Sequence, residues 1–285
     1  MSIESISHYS LGEMFCAFED KDRDRPLDTL VWYPTLTAEN QKRTGVWEQP
    51  EIALDSPITP GKHPLILISH GWKGENIELV WLAEKLTKQG YIVAAVNHYG
   101  NTWQAFLDEL SNQIEHRLQD ISKALDHLLN KSPFACHIEK EKIGFAGFSM
   151  GGGLTGLWLA GGEINNASYK DKRFRAFFLM APRGADFSEA SLGEISSPMH
   201  IVAGKIDQIL PIENHAAYIH RHAPSSTLNI LEGETGHFIF LNCPTKAGLE
   251  LLTPEIVQDA PSVNRANEHS KISKMAIEFF SKSFP

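Results

Sequence analysis

The sequence predicts an α/β fold: a mostly parallel, doubly wound sheet of about eight strands, an antiparallel N-terminal hairpin, and helices on both faces. Three observations predict it. Short, nearly unbroken apolar runs alternate with segments of helical periodicity, as strands buried on both faces require. A Gly-x-Ser-x-Gly pattern, Gly147-Phe148-Ser149-Met150-Gly151, stands between one such run and one such helix. The remaining candidates for chemistry each fall just after a strand, along the carboxyl edge where open parallel sheets bind ligands.

Taken in order, residues 1–34 read as a hairpin. Tyr9-Ser10-Leu11-Gly12 is one arm, the charged run 19–24 the turn, and residues 29–34 the other arm, ended by Pro34. Residues 35–63 are polar and broken by Pro50, Pro57, Pro60 and Gly61, so they read as one long surface loop carrying Trp47. Residues 64–69 form a buried strand ending at His70-Gly71-Trp72. A helix over 75–89 follows, with Leu79, Leu82, Ala83 and Leu86 on one face and Gly90 as its stop, and then a strand over 91–96. This βαβ unit is right-handed, so Trp72 and Asn97-His98-Tyr99 emerge on the same edge of the sheet.

Residues 103–130 read mostly as one long helix, with Ile114, Leu118, Ile121, Leu125, Leu128 and Leu129 at helical spacing and Pro133 beyond its end. The strand 143–146 runs into the Gly-x-Ser-x-Gly turn, and Leu154, Leu157, Trp158 and Leu159 mark the helix after it, closed by Gly161-Gly162. Residues 176–181, 199–203 and 227–231 are three more short strands, and 270–282 is a last helix with Ile272, Met275, Ala276, Phe279 and Phe280 on one face. With no internal repeat and no shift of composition, residues 1–285 read as a single domain without a large separate cap.

The bulk numbers narrow the partners. A net charge of −9 with no basic run argues against nucleic acid or an anionic membrane surface, which need clustered Lys and Arg, and leaves small neutral or apolar molecules. No apolar run reaches the length of a membrane span, and residues 1–20 lack a basic segment followed by an apolar core. Three scattered cysteines suit a reducing compartment better than a disulfide framework or a zinc site. A cytoplasmic protein without metal or organic cofactor is expected, with monomer and homodimer both open.

Strand, sharp turn and helix would hold the Ser149 hydroxyl out at the tip of the turn, with Gly147 and Gly151 where a Cβ would collide. A helix N-cap is the plainer reading of Ser149, but an N-cap does not require glycines on both sides. A nucleophilic serine needs a base, and the base needs a carboxylate to orient it. His237 is the best base, because Gly233-Glu234-Thr235-Gly236-His237-Phe238 follows the last strand on a flexible loop. His215, His220 and His222 read as surface residues, His70 as shaping its turn, His98 as a residue of the site's edge. Asp207 follows the strand 199–203 on a loop beside that of His237; as a turn-forming Asp it would need no such role, and Asp186, one strand earlier, competes with it. A tetrahedral intermediate needs two backbone N–H donors, expected from Trp72 and Met150. Tyr99, Trp103, Phe148 and Phe238 fall near the same edge and are candidate pocket walls, with ordinary core packing as the alternative for each.

Together, Val31-Trp32-Tyr33-Pro34, Ile68-Ser69-His70-Gly71, Asn97 through Thr102, Gly147 through Gly152, Gly204 through Pro211 and Gly236-His237-Phe238 resemble the serine α/β-hydrolases. The narrower resemblance is to predicted dienelactone hydrolases related to platelet-activating-factor acetylhydrolases. It extends over nearly the whole chain, including Gly100-Asn101-Thr102 and Asn264-Arg265-Ala266, for which the residues alone suggest no role. Dienelactone hydrolases proper carry a cysteine nucleophile where this chain has Ser149, so the resemblance implies a general carboxylic ester hydrolase with a small-molecule ester substrate. The acetylhydrolases place their acid one strand earlier, which keeps Asp186 in contention. A peptidase or thioesterase on the same residues, or a hydrolase fold retained only for binding, are the alternatives. The segments 35–63 and 163–175 are the expected walls of the pocket.

Overall fold

The apolar runs become the middle of a ten-stranded sheet. The structure, a computed structural model, describes residues 9–107, 110–165 and 167–284, with backbone alone for 110–113. The strands are β1 (Ser10–Cys16), β2 (Glu19–Asp20), β3 (Arg25–Pro26), β4 (Thr29–Thr35), β5 (Gln41–Lys42), β6 (Glu51–Leu54) and β7 (His63–Ser69). They continue as β8 (Ile92–Val96), β9 (Ile138–Phe148), β10 (Glu163–Ile164), β11 (Ala167–Ser168), β12 (Ala176–Met180), β13 (Met199–Gly204) and β14 (Ser226–Leu231). The sheet order is β14-β13-β12-β9-β7-β8-β4-β1-β6-β5. From β14 to β8 every neighbouring pair is parallel, while β4 joins antiparallel and forms the expected hairpin with β1.

Alternation along each central strand sends side chains to two apolar layers. Leu65 and Leu67 of β7 pack with Leu118, Ile121 and Leu125 of helix α2 (Leu110–Asn130) on one face. Ile66 and Ile68 pack on the other with Leu82 and Leu86 of α1 (Val80–Thr87) and with Ile272 and Phe280 of the C-terminal helix (Arg265–Ser283). Each such side chain contributes about 1.5–3 kcal/mol on full burial. The chain moves outward from β7 through β8, then crosses back by α2 to β9 on the other side, so β7 and β9 flank the point where the winding reverses.

Four expectations need correction. Residues 35–63 are not one loop: β5 and β6 extend the sheet edge, Ala53 of β6 pairs with Gly12 of β1, and Trp47 is 3% exposed and bridged to Pro244. Two- and four-residue strands are too short to show period-2 alternation between prolines. The first helix starts at Val80, not at Glu75, with no side-chain cap at Leu79. Residues 103–107 are outside α2 and form bends closed by a bridge between Asn101 and Phe106; residues 108 and 109 are outside the described part. The last helix begins earlier, at Arg265, because the Asn264 side chain caps it by accepting the Asn267 N–H.

Candidate active site

Ser149 directly follows β9 with φ +55°, a left-handed conformation that costs a non-glycine residue about 1–2 kcal/mol. The surroundings hold it there. Its N–H donates to the Met180 carbonyl at 2.9 Å, and its carbonyl accepts the N–H groups of Gly153 at 2.8 Å and Arg183 at 3.2 Å. A Cβ on Gly147 would lie 2.6 Å from the Gly151 carbonyl, and one on Gly151 would lie 2.3 Å from the Ser69 carbonyl oxygen. Both glycines are therefore required by backbone packing. The helix leaving the turn is π-wound over Gly151–Leu157 before an α-helical end at Trp158–Ala160, and Gly161 closes it at φ +110°.

Ser149 Oγ is 3.0 Å from His237 Nε2, and His237 Nδ1 is 2.7 Å from Asp207 Oδ2. His237 opens a short 3-10 turn after β14, and Asp207 lies just beyond β13, so adjacent strands deliver both. The other Asp207 oxygen accepts the N–H groups of Ile209 and Leu210 at 3.0 and 2.8 Å, which fixes the carboxylate. Asp186 is elsewhere: both its oxygens face the Arg183 guanidinium, at 2.7 and 2.8 Å.

The loop after β7 lies against this turn. A Cβ on Gly71 would be 3.5 Å from Ser149 Cβ, and neither Trp72 N–H nor Met150 N–H has an acceptor among the described residues. Two donors without an acceptor among the described residues thus lie on the two loops that meet at Ser149, at the point where the winding reverses.

Beside them is a cavity of about 300 Å³ walled by Val46, Trp47, Trp72, Trp103, Phe148 and Phe238, with Leu241, Leu252 and Ile256 beyond. Three of the four candidate pocket walls, Trp103, Phe148 and Phe238, line it. Tyr99 does not: it is 41% exposed, with the Arg25 guanidinium 5.4 Å from its ring centre. The segment 35–63 supplies Val46 and Trp47, whereas 163–175 supplies no lining residue. A second cleft, about 550 Å³, opens on the other side of Phe238 and is bordered by His237, Ile206 and Ile209. A larger hollow, about 680 Å³, lies between the hairpin turn and α2 near Phe18 and Lys123, away from these residues.

Glu78 also lines the aromatic cavity, a residue that the sequence reading missed. Burial, and then the neighbouring Glu75, push its carboxyl up to about 8. Burial likewise raises Glu75, opposed by a hydrogen bond with Trp103. The i,i+3 spacing of two acidic residues just after His70-Gly71-Trp72 was the available signal.

Behind the loop, His70 Nδ1 lies 2.8 Å from the Gly71 carbonyl oxygen and its Nε2 accepts the His98 N–H at 3.2 Å; burial, followed by Arg117 and His98, holds the ring well below the usual histidine range. His98 is not at the site's edge but wholly buried, 2.9 Å from Ser69 Oγ and 3.0 Å from Asp120 Oδ2. Burial, and then Arg117, lower it to about 3.

The reversal of winding between β7 and β9, with a strained serine between strand and helix, defines the α/β-hydrolase fold, and the chain is a member of the serine α/β-hydrolase superfamily. Within it the chain belongs to the PET hydrolase-like family, whose model matches residues 55–252. It is 26% identical over 167 residues to the bis(hydroxyethyl) terephthalate hydrolase of Streptomyces coelicolor, covering 59% of this chain and 47% of that protein. It is 25% identical over 186 residues to Cutinase 1 of Thermobifida cellulosilytica, covering 64% and 62%. The chain thus spans about half to three fifths of the length of these curated relatives. A ferulic acid esterase from Streptomyces cinnamoneus has the same fold, with TM-score 0.74 at 19% identity over 98% of this chain and 91% of that one.

Proposed function

We propose that this protein hydrolyses carboxylic esters of small molecules through an acyl-enzyme formed on Ser149. The observation that carries this is the unbroken line Ser149 Oγ, His237, Asp207, at 3.0 and 2.7 Å. Ser149 Oγ attacks the acyl carbon while His237 Nε2 takes its proton, and Asp207 holds the ring in the tautomer that leaves Nε2 free to accept. The tetrahedral oxyanion takes the N–H groups of Trp72 and Met150, which need no reorganisation to meet it. His237 then returns the proton to the departing alcohol, and water repeats the sequence on the acyl-enzyme.

The aromatic cavity and the cleft beyond Phe238 give the acyl and alcohol parts one wall each. The relatives named for cutinase, terephthalate-ester and feruloyl-ester hydrolysis support an ester as the bond cleaved. A serine at position 149 in place of the dienelactone hydrolases' cysteine favours general esters over lactones. On this reading the whole chain works as one domain without cofactor. A cytoplasmic location is in keeping with three free cysteines. The test is labelling by a fluorophosphonate together with turnover of short-chain p-nitrophenyl esters. Both are expected in the wild type and absent in Ser149→Ala; a wild type inert to both overturns the proposal.

A further inference from the structure

The Trp72 N–H belongs to the same peptide unit as the Gly71 carbonyl. In a trans peptide the two point in opposite directions, so whatever holds the Gly71 oxygen also aims the Trp72 N–H. Two side chains approach that oxygen from behind: His70 Nδ1 at 2.8 Å and Arg117 Nη1 at 3.4 Å. Arg117 lies on α2 and is wholly buried. Its Nη2 donates to the His70 carbonyl and, at 3.2 Å, to Ser69 Oγ, while Nη1 also donates to Asn101 Oδ1 at 3.1 Å. Asn101 Oδ1 in turn accepts the Lys73 N–H at 3.1 Å. Ser69, His70, Gly71 and Lys73 are thereby each tied, by backbone or side chain, to Arg117, His70 or Asn101, while the Trp72 N–H has no acceptor among the described residues.

We infer that Arg117, with Asn101, is a positioning residue that holds the Gly71–Trp72 peptide with its N–H aimed at the oxyanion. A buried guanidinium is costly: burial lowers Arg117 to about 9, partly opposed by Asp120 and Glu78. Its hydrogen bonds are concentrated on one turn of chain, rather than forming a carboxylate pair, and that turn is the one facing Ser149. It also gives Gly100-Asn101-Thr102, which the residues alone left without a role, a physical task.

The inference rests on the esterase reading above. Its test therefore starts from a wild type already shown to be labelled by fluorophosphonate and to turn over p-nitrophenyl butyrate. Arg117→Met and Asn101→Ala are compared with wild type in kcat, KM and inhibition by an alkyl trifluoromethyl ketone, which binds as a tetrahedral oxyanion, and by the matching methyl ketone, which does not. Removing one oxyanion donor typically lowers kcat by about 10²–10³-fold. Misaiming it is expected to lower kcat by about 10–100-fold in Arg117→Met with KM within about threefold. The trifluoromethyl ketone should weaken in parallel, methyl ketone binding should hold, and Arg117→Lys should recover part of kcat. Asn101→Ala, which leaves the guanidinium in place, should show the same pattern more weakly, and it decides the matter if Arg117→Met does not fold. An active wild type whose folded variants keep kcat within about twofold, or lose both ketones equally, overturns the inference while leaving the esterase reading intact.

Discussion

Two serine–histidine–aspartate lines run through this molecule, and they are not equivalent. Ser149, His237 and Asp207 are linked at 3.0 and 2.7 Å; Ser69, His98 and Asp120 are linked at 2.9 and 3.0 Å. Distance alone does not separate them. Access and charge do. Ser149 is partly exposed on a left-handed turn whose neighbours Phe148 and Gly71 line a cavity, whereas Ser69, His98 and Asp120 have no exposed surface. Arg117 donates to the Ser69 hydroxyl, and Arg25 and Arg23 face Asp120, so protonating His98 would add charge to a site already rich in cations. On the proposed reading, the first line takes and returns a proton beside a substrate. The second is held neutral at its histidine and, on the proposed reading, underlies the loop that carries the oxyanion donor Trp72.

The widest expected separation is in Ser149→Ala against Ser69→Ala. The first should lower ester turnover by about 10⁴-fold or more, while the second keeps fluorophosphonate labelling and shows its effect as a lower melting temperature. Asp207→Asn should cost about 10²–10⁴-fold in kcat, measured on the same esters, because the imidazole loses its fixed tautomer.

Asp120→Asn tests the buried line through stability. Removing a charge that faces Arg23, Arg25 and His98 should cost about 3–5 kcal/mol in denaturant titration at pH 7. His98, and then Arg25, hold the Asp120 carboxyl below the usual carboxylate range against the opposing effect of burial. Its stabilisation is therefore present above the unfolded value near pH 4 and is lost as the pH falls through the lower folded value, so variant and wild type should converge in acid.

Glu78 behaves in the opposite sense. With its folded value up to about 8, the native state holds a proton that the unfolded chain releases near pH 4.5, and stability falls as pH rises between the two. Glu78→Gln should gain on wild type by about 1–3 kcal/mol at pH 9 and by little at pH 5, read as the difference in melting temperature across pH. The smallest effect is expected from Asp186→Asn, within about twofold in kcat, since a half-exposed pair with Arg183 is worth about 0–1 kcal/mol and Arg183 meets the first line only through its backbone N–H on the Ser149 carbonyl.

Much of this was legible without coordinates where the signal is local. The run into Gly147-Phe148-Ser149-Met150-Gly151 is strand, turn and helix because apolar period and glycine placement are properties of neighbouring residues. The βαβ rule then placed Trp72 on the correct edge. Less legible was anything set by small contacts between distant segments. Residues 41–42 and 51–54 join the sheet through pairings with one another and with β1 that no window of sequence contains. Tyr99, next to His98 in the chain, turns outward to Arg25 while His98 turns inward, a choice made by packing rather than by either residue's type.

By itself, then, the sequence determined the alternation of elements, the direction of the sheet and the residue types able to attack, accept a proton and orient the acceptor. Tertiary structure alone decided which of two serine–histidine–aspartate lines faces a cavity, and that Asp207 rather than Asp186 meets the histidine. The reason is physical: residue type and period are carried by the chain from one position to the next, but burial, charge neighbours and the free direction of a peptide N–H exist only once α2 and the β7 loop are packed together.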